Sequence, residues 1–450
     1  MALTSEKSGK KRTVAGEDEL FKNSGVAGKW LGEIEQRLGD TNPLIKHIQN
    51  NAAKEFARTG LPGRRDEDYK YTNIRQYLQE DFVARNGQEN ISVELIKPLL
   101  LNNSVNLVFI NDKYVPGLSV TENLPEGIAA GDFYFNKDRV HDKAAQHFNK
   151  AAGESKNPMA LLNTALAGNG FYIFVPKNFI LDVPVHIIHI ITGEVKSLYN
   201  PRNLVYLEEN SQLTLIESYH TVGDCKQVFT NSLTELFVED NAVLENYILQ
   251  DEGAGSYHSD SRFLSIGRGG KSNCVTVSLN GIILRNDSNV LIHGEHAEAH
   301  LNGLFLLKGN DHTDNHTLVE HLAPNCSSKE LYKGIIGDSA TGVFNGKIYV
   351  HPEAQKTDAY QSNKNVLTGD KATIDTKPQL EIYADDVRCS HGTSTGKLNE
   401  EALFYLQSRG LNKQLAKKVL LQAFAKEVSN TIKNEAFRTF IEKKIQEKLI

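Results

Sequence analysis

The side chains best suited to chemistry stand near the carboxyl end, in Asp385-Asp386-Val387-Arg388-Cys389-Ser390-His391-Gly392. In an extended strand side chains alternate between faces, so Cys389 and His391 point the same way and put a thiol and an imidazole on one patch. That patch suits a soft metal or a carried sulfur, and it equally suits a plain strand end. A tetrahedral metal site takes about four ligands, so two side chains make at most half of one, and a second subunit is the natural source of the remainder. The imidazole favours the reactive thiolate, whereas Asp385 and Asp386 oppose it unless one of them faces away. Residue types alone leave a working site and a strand terminus equally open.

Two other constellations compete. Six of the 15 histidines fall between His293 and His321. On strands, His296, Glu298 and His300 would share a face, as would His312, Asp314 and His316, and such clusters can form a nitrogen and oxygen metal site. The polar outer face of a stacked β structure has the same appearance, and neither HExxH nor paired-cysteine spacing is present, so His312 and His316 rank as metal candidates behind Cys389 and His391. Gly269-Gly270-Lys271-Ser272 imitates the end of a phosphate-binding loop, but Ser265 stands where its first glycine belongs and a strand pattern, Cys274 to Ser278, follows instead of a helix. It reads as a turn, and any nucleotide energy must come from another protein.

The elements that would position these residues change texture twice. With 450 residues the chain exceeds the size of a single core, and two or three structural units are expected. A net charge of −6 without an aromatic-interleaved basic stripe argues against nucleic acid. No apolar run approaches the roughly 20 residues of a membrane helix, and Met1 to Leu20 lacks the apolar core of a secretory signal. Four scattered cysteines, Cys225, Cys274, Cys326 and Cys389, suggest reduced thiols in a cytoplasm. The expected order is a mobile leader over 1–27, a mixed helical and α/β region over 28–170, a β core over 171–392 and a helical domain over 393–450.

In the mixed region, Trp30 to Leu38 and Ile45 to Phe56 carry helical periodicity, broken near Gly39 and Pro43 and closed by Gly60-Leu61-Pro62-Gly63. Asp66 to Thr72 reads as an exposed loop whose two tyrosines pack down. Val105 to Ile110 and Asp132 to Phe135 read as strands, and Pro158 to Ala167 as a helix begun by its proline. From Phe171 to about Val387 short β-branched and aromatic runs alternate with polar turns, among them Val185 to Ile191, Leu233 to Val238 and Phe344 to Val350. A turn pattern recurs as Glu209-Asn210-Ser211, Asp240-Asn241-Ala242, Gly337-Asp338-Ser339 and Gly369-Asp370-Lys371, within the ~20 to 50 residue periods of repeat arrays. A β-solenoid explains this better than a sandwich, because each coil needs only its neighbours to bury its inner face. Asn399 and Asn412 then cap helices, with apolar stripes Leu415, Val419, Phe424, Val428, Ile432 and Phe437, Phe440, Ile441, Ile445, Leu449. So small a helical domain should lean on the solenoid or on a partner.

The run from Asp385 to Gly392, with Leu403-Phe404-Tyr405-Leu406-Gln407-Ser408-Arg409-Gly410 behind it, closely resembles the carboxyl-terminal signature of the SufB/SufD family of the SUF iron-sulfur cluster assembly system, on its SufD side. His312-Thr313-Asp314-Asn315-His316-Thr317 with His321, Tyr332-Lys333-Gly334, Gly342 to Lys347, Gln355 to Ala359 with Gln361, Leu380-Glu381-Ile382 and the Asp66 to Thr72 cluster also look like family positions. The likeness runs from about residue 60 to the end. Thr393-Ser394-Thr395 departs from the commoner Ala-Thr-Val and leaves the loop's geometry open. The resemblance implies a right-handed parallel β-helix flanked by helical domains, a scaffold that is not itself an enzyme. It also implies pairing with SufB and docking of the SufC ATPase on the carboxyl-terminal helices, where Leu403, Phe404, Tyr405, Ser408, Arg409 and Gly410 match. By the same resemblance His391, with Cys389 beside it, would ligate iron or a nascent iron-sulfur cluster shared with SufB. The residues do not decide whether a reduced flavin takes part, nor whether the isolated chain forms a homodimer. The rival readings are a β-solenoid polysaccharide lyase or hydrolase, which uses paired carboxylates and is usually exported, and a purely structural metal-binding partner.

Overall fold

The computed structural model describes residues 43–64, 66–78, 82–84, 91–132, 146–192, 196–223 and 227–449. The expected leader, the helix from Trp30 to Leu38, Phe133 to Phe135 and Cys225 lie outside these residues. The chain divides into two compact units. In the smaller, α1 (Pro43–Thr59) packs with α2 (Pro158–Leu166), the two helices that the periodicity and Pro158 predict. There Tyr69 is buried and its hydroxyl donates to Asn157 Oδ1 at 2.7 Å. Tyr71, expected to pack down beside it, instead stays exposed, with the Lys70 ammonium over its ring.

The larger unit is a β-solenoid of about eight turns wound between two sheets that pair in parallel from coil to coil, with a short antiparallel strand at the amino-terminal end of each, Lys113–Tyr114 and Ala129–Asp132. The first sheet stacks β1 (Val105–Ile110), β3 (Val185–Ile191), β5 (Gln212–Thr221), β7 (Val243–Asp251), β9 (Lys271–Asn280), β11 (Glu298–Leu307), β13 (Ser327–Ile336), β15 (Asp358–Leu367) and β17 (Arg388–Gly396). The second stacks β2 (Phe171–Val175), β4 (Arg202–Leu207), β6 (Val228–Val238), β8 (Ser256–Ile266), β10 (Ile283–Ile292), β12 (His312–His321), β14 (Thr341–Val350) and β16 (Thr373–Ile382). Arg285 precedes its registered neighbour Asp314 by 29 residues, and Thr341 precedes Thr373 by 32. The solenoid starts before residue 171, since β1 pairs with β3, and its last strand continues to Gly396, past 392.

The recurring turn pattern resolves into two different corners, which is why its spacing is irregular. Asn210 and Asn241 take positive φ, 58° and 56°, on the corner leading into the first sheet, and stack as a ladder: Asn210 Nδ2 donates to Asn178 Oδ1 at 2.8 Å, and Asn241 Nδ2 to Asn210 Oδ1 at 3.2 Å. Asparagine tolerates this left-handed backbone because its short amide bonds locally. Asp338, φ 46°, sits on the opposite corner, and its carboxylate accepts from the Gly309 amide one coil earlier.

The lumen is mixed. Leucine, isoleucine and valine from both sheets fill one side, while the other holds buried ions. Arg262 donates to Glu217 Oε1 and Oε2 at 2.7 and 3.0 Å and to Asp260 Oδ2 at 2.6 Å, joining a strand of one sheet to a strand of the other. Removing one partner of such a group leaves an uncompensated buried charge, at a cost of about 3–5 kcal/mol.

Three carboxyl-terminal helices follow: α3 (Glu400–Ser408), α4 (Lys413–Ser429) and α5 (Glu435–Lys448), with Asn399, Asn412 and Asn434 each accepting a capping hydrogen bond from a first-turn amide. The second half of α4 and all of α5 lie on the outer face of the first sheet, where Val428, Phe437, Ile441 and Ile445 meet Tyr247, Leu249, Val275, Val277 and Leu304. Lys333 adds a 2.6 Å ion pair to Glu427 and lies over the Phe424 ring. The stripe expected from Leu415 to Ile432 is therefore split. Leu415 and Val419 face solvent, and Leu421 and Ala425 take the buried positions. No helix among the described residues is long and apolar enough to cross a membrane.

Phe437→Ala should lower unfolding stability by about 3–5 kcal/mol, read by chemical denaturation of the full chain. An unshifted midpoint would mean that α5 is not held by this packing.

Candidate functional site

Cys389 and His391 lie on β17, in register with Ala359 and Gln361 of β15. They share one face of the strand, as expected, and alternation makes it the inward face. What periodicity could not predict is that β17 and β16 form the last coil. Among the described residues no further strand pairs with either outer edge, so the lumen opens here. β17 is exposed along nearly its whole length and β16 is only half-buried, although each is about as long as the strands behind it. Long unpaired edges are avoided or covered in stable proteins, and solenoid ends need caps.

His391 is exposed and makes no hydrogen bond among the described residues. Cys389 is half-buried and packs against Ile348, Val350, Ala354, Ala359 and Ala384. Burial pushes its thiol pKa up and the Asp358 carboxylate adds to the shift, while the Ala359 backbone hydrogen bond works the other way. The cysteine is therefore a thiol at neutral pH, not the thiolate that a neighbouring imidazole would favour. Asp385 and Asp386, expected to oppose the thiolate, are not its main acidic neighbours. Asp386 sits on the corner with its carboxylate on the Lys356 ammonium, whose hydrogen bond and charge lower its pKa.

Beneath His391 runs a column in unbroken register: Asn246, Cys274, Leu301, Glu330, Gln361, His391. Glu330 is buried, accepting from Thr317 Oγ1 at 2.6 Å and from Gln361 Nε2 at 3.3 Å, and burial pushes its carboxyl up to about 7 against those two hydrogen bonds. Sequence reasoning missed Glu330 and gave Gln361 no role. The available signal was a carboxylate two residues before Tyr332, on the inward face of a strand.

The other candidates resolve differently. His312 and His316 share a face with Asp314, but Asp314 accepts from Arg285 Nη1 at 2.7 Å, and a guanidinium at that carboxylate is a poor neighbour for a cation. His316 Nε2 lies 3.0 Å from Asp314 Oδ1, and burial lowers the His312 pKa despite that carboxylate. His296 does not join Glu298 and His300 on a strand, because it occupies a corner with φ 60° and β11 starts at Glu298. His321 faces the lumen, bonded to Ser328 Oγ at 2.9 Å, and burial pushes it down to about 4, so it is neutral. Among the described residues no three histidine, cysteine, aspartate or glutamate side chains gather as a metal-binding group. Gly269 and Gly270 form the turn between β8 and β9, as read.

A second surface is α3 itself, which buries no side chain. Phe404 is 73 % exposed and Tyr405 56 %, with Leu415 and Val419 of α4 exposed nearby in the chain and Leu403 half-buried. Arg409 Nη2 donates to the Tyr405 hydroxyl at 3.2 Å, Ser408 Oγ donates to the Tyr405 carbonyl, and Gly410, φ 95°, ends the helix in a backbone that side chains disfavour. These apolar side chains stand exposed on a helix that buries none of its own.

Two family descriptions match the chain: "SUF system FeS cluster assembly, SufBD core domain" over residues 189–424 and "SufBD protein N-terminal region" over 34–187. The iron-sulfur cluster assembly protein SufD of Escherichia coli is 31% identical over 434 residues, covering 96% of this chain and 98% of its own length. A SufBD family protein of Synechocystis is 29% identical over 88% of this chain and 89% of its own, and SufD of Bacillus subtilis 22% identical over 84% and 88%.

Peptide-resolved alkylation of the full chain with iodoacetamide should show the Cys389 rate rising with pH through a midpoint above ~8.5, the ordinary cysteine value. A midpoint near or below neutrality would contradict the electrostatics described for this thiol.

Proposed function

The chain belongs to the SufBD family of iron-sulfur cluster assembly proteins and is SufD-like, and from that premise we propose that it is a cytoplasmic, non-ATPase scaffold subunit that pairs with a SufB chain through the open end of its solenoid and presents His391 and Cys389 to iron or a nascent cluster. The observation that carries this reading is the position of the two side chains on an exposed last coil to which no further strand pairs among the described residues. A partner's strand edge could continue both sheets there, satisfying the free backbone groups of β17 and bringing the missing ligands to the pair. His391, exposed and unbonded, offers a nitrogen without first breaking an internal contact. Cys389 must lose its proton to bind, and a cation alongside supplies the drive for that loss. Iron or cluster is cargo in this scheme, held between two chains.

A SufC-type ATPase would sit on α3 and the start of α4, with Phe404 and Tyr405 as aromatic anchors of the kind that dominate interfaces. Its ATP-driven movement would reach the solenoid through α4, which Lys333 and Lys364 tie to the first sheet at Glu427, 2.6 and 3.0 Å away.

Anaerobic co-purification with SufB and SufC, assayed for iron and acid-labile sulfide, tests the site. His391→Ala should leave the complex intact and abolish most cluster formation, with Cys389→Ala reducing it less. Normal iron and sulfide in both variants would make the pair structural. Phe404→Asp should weaken SufC retention by at least about tenfold while SufB stays bound, and full retention of SufC would move that docking surface elsewhere.

A further inference from the structure

Gln361 is fully buried, yet only one end of its amide is engaged. Nε2 donates to Glu330 Oε1 in the coil behind, while Oε1 has no hydrogen-bond partner among the described residues. A buried amide oxygen left unpaired costs about 1–3 kcal/mol, which asks for an explanation. The two ends of a planar amide diverge from Cδ, so with Nε2 turned to Glu330 the oxygen faces away from that coil. The residue registered with Gln361 on the next coil is His391.

The amide is also held in place from the opposite sheet. A Cβ at Gly346 of β14 would come within 2.2 Å of Gln361 Nε2 and 2.7 Å of Cδ, so only glycine leaves the amide its present seat. Glu330 is fixed in turn by Thr317, whose hydroxyl donates to Oε2 at 2.6 Å. Thr317 and Gly346 are register partners, so one coil of the second sheet supplies the donor and the next supplies the gap.

We infer that Gln361 is a positioning residue for His391: when the ring takes up metal at the SufB interface, Oε1 accepts the imidazole N–H and directs the other ring nitrogen outward to the metal, with Glu330 and Gly346 setting the amide's orientation. The inference rests on the proposed role of His391. The logic is that of metal-bound histidines generally, whose second nitrogen usually donates to a carboxylate, carbonyl or water that fixes tautomer and ring orientation. An exposed imidazole at a strand edge otherwise samples several rotamers and both tautomers. It also explains a buried polar residue at a position where an apolar one would pack at no polar cost.

Two readouts test it, both on the anaerobic complex with SufB and SufC: its ferrous iron affinity, and the imidazole 15N signals of His391 with diamagnetic zinc in place of iron. Gln361→Leu and Glu330→Leu should each weaken iron binding about 10- to 100-fold and move the His391 signals toward those of a free imidazole. Glu330→Gln keeps an acceptor oxygen for the amide and should recover most of what Glu330→Leu loses. Gly346→Ala pushes the Gln361 amide aside without altering any of the three residues and should act like Gln361→Leu, which covers the case in which the leucine variant fails to fold. If His391→Ala abolishes iron binding while Gln361→Leu and Gly346→Ala leave both affinity and 15N signals unchanged, the positioning role is wrong. If His391→Ala leaves iron binding intact, the functional reading fails instead, and the 15N signals still decide whether Gln361 orients the ring.

Discussion

A parallel strand leaves half of its backbone hydrogen bonds to the strand ahead of it and half to the strand behind, and along the stack from β5 to β17 the strand ahead belongs to the next coil. Each coil is thus completed by its successor, and the debt passes along the chain until β16 and β17, where nothing among the described residues discharges it. The position of Cys389 and His391 follows directly. Side chains that alternate into the lumen elsewhere are sealed by the following coil, and on the last coil they are left open. A chemical group can therefore be both part of an interior column and accessible at a surface.

The lumen behind them is a second consequence of stacking. In-register coils align like positions, so a polar residue in one coil makes a polar neighbour affordable in the next. Arg262 with Glu217 and Asp260, and Glu330 with Thr317 and Gln361, are such groupings, each with hydrogen bonds to offset burial. The apolar side of the same lumen, from Leu236 through Leu264 and Val290 to Val319, supplies the hydrophobic stabilisation that these groups do not.

This division decides what could be read from the amino-acid sequence. Strands whose buried residues are mostly apolar, such as Val105–Ile110 and Val185–Ile191, were legible to the residue. Strands carrying the polar lumen were seen in part or missed. Only Leu233 to Val238 of β6 stood out, because Thr230, Asn231 and Ser232 are polar yet buried, and Thr373–Ile382 offered no apolar run at all. For the site, period-two alternation sufficed to put Cys389 and His391 on one face. Relations between coils lay out of reach: Glu330 meets Gln361 from 31 residues away, and Asp386 meets Lys356 from 30. No local pattern encodes those pairings, which depend on the accumulated register of every turn.

The unequal coil lengths carry a further implication. Between Arg285 and Asp314 the chain spends 29 residues, and between Thr341 and Thr373 it spends 32, yet strand pairing in both intervals has no slip. The surplus is taken up at the corners, which run over 351–357 and 368–372 in the longer interval and over 293–297 and 308–311 in the shorter one. Corners of this kind act as expansion joints. A residue added or removed there leaves the rows of side chains that end at His391 in alignment.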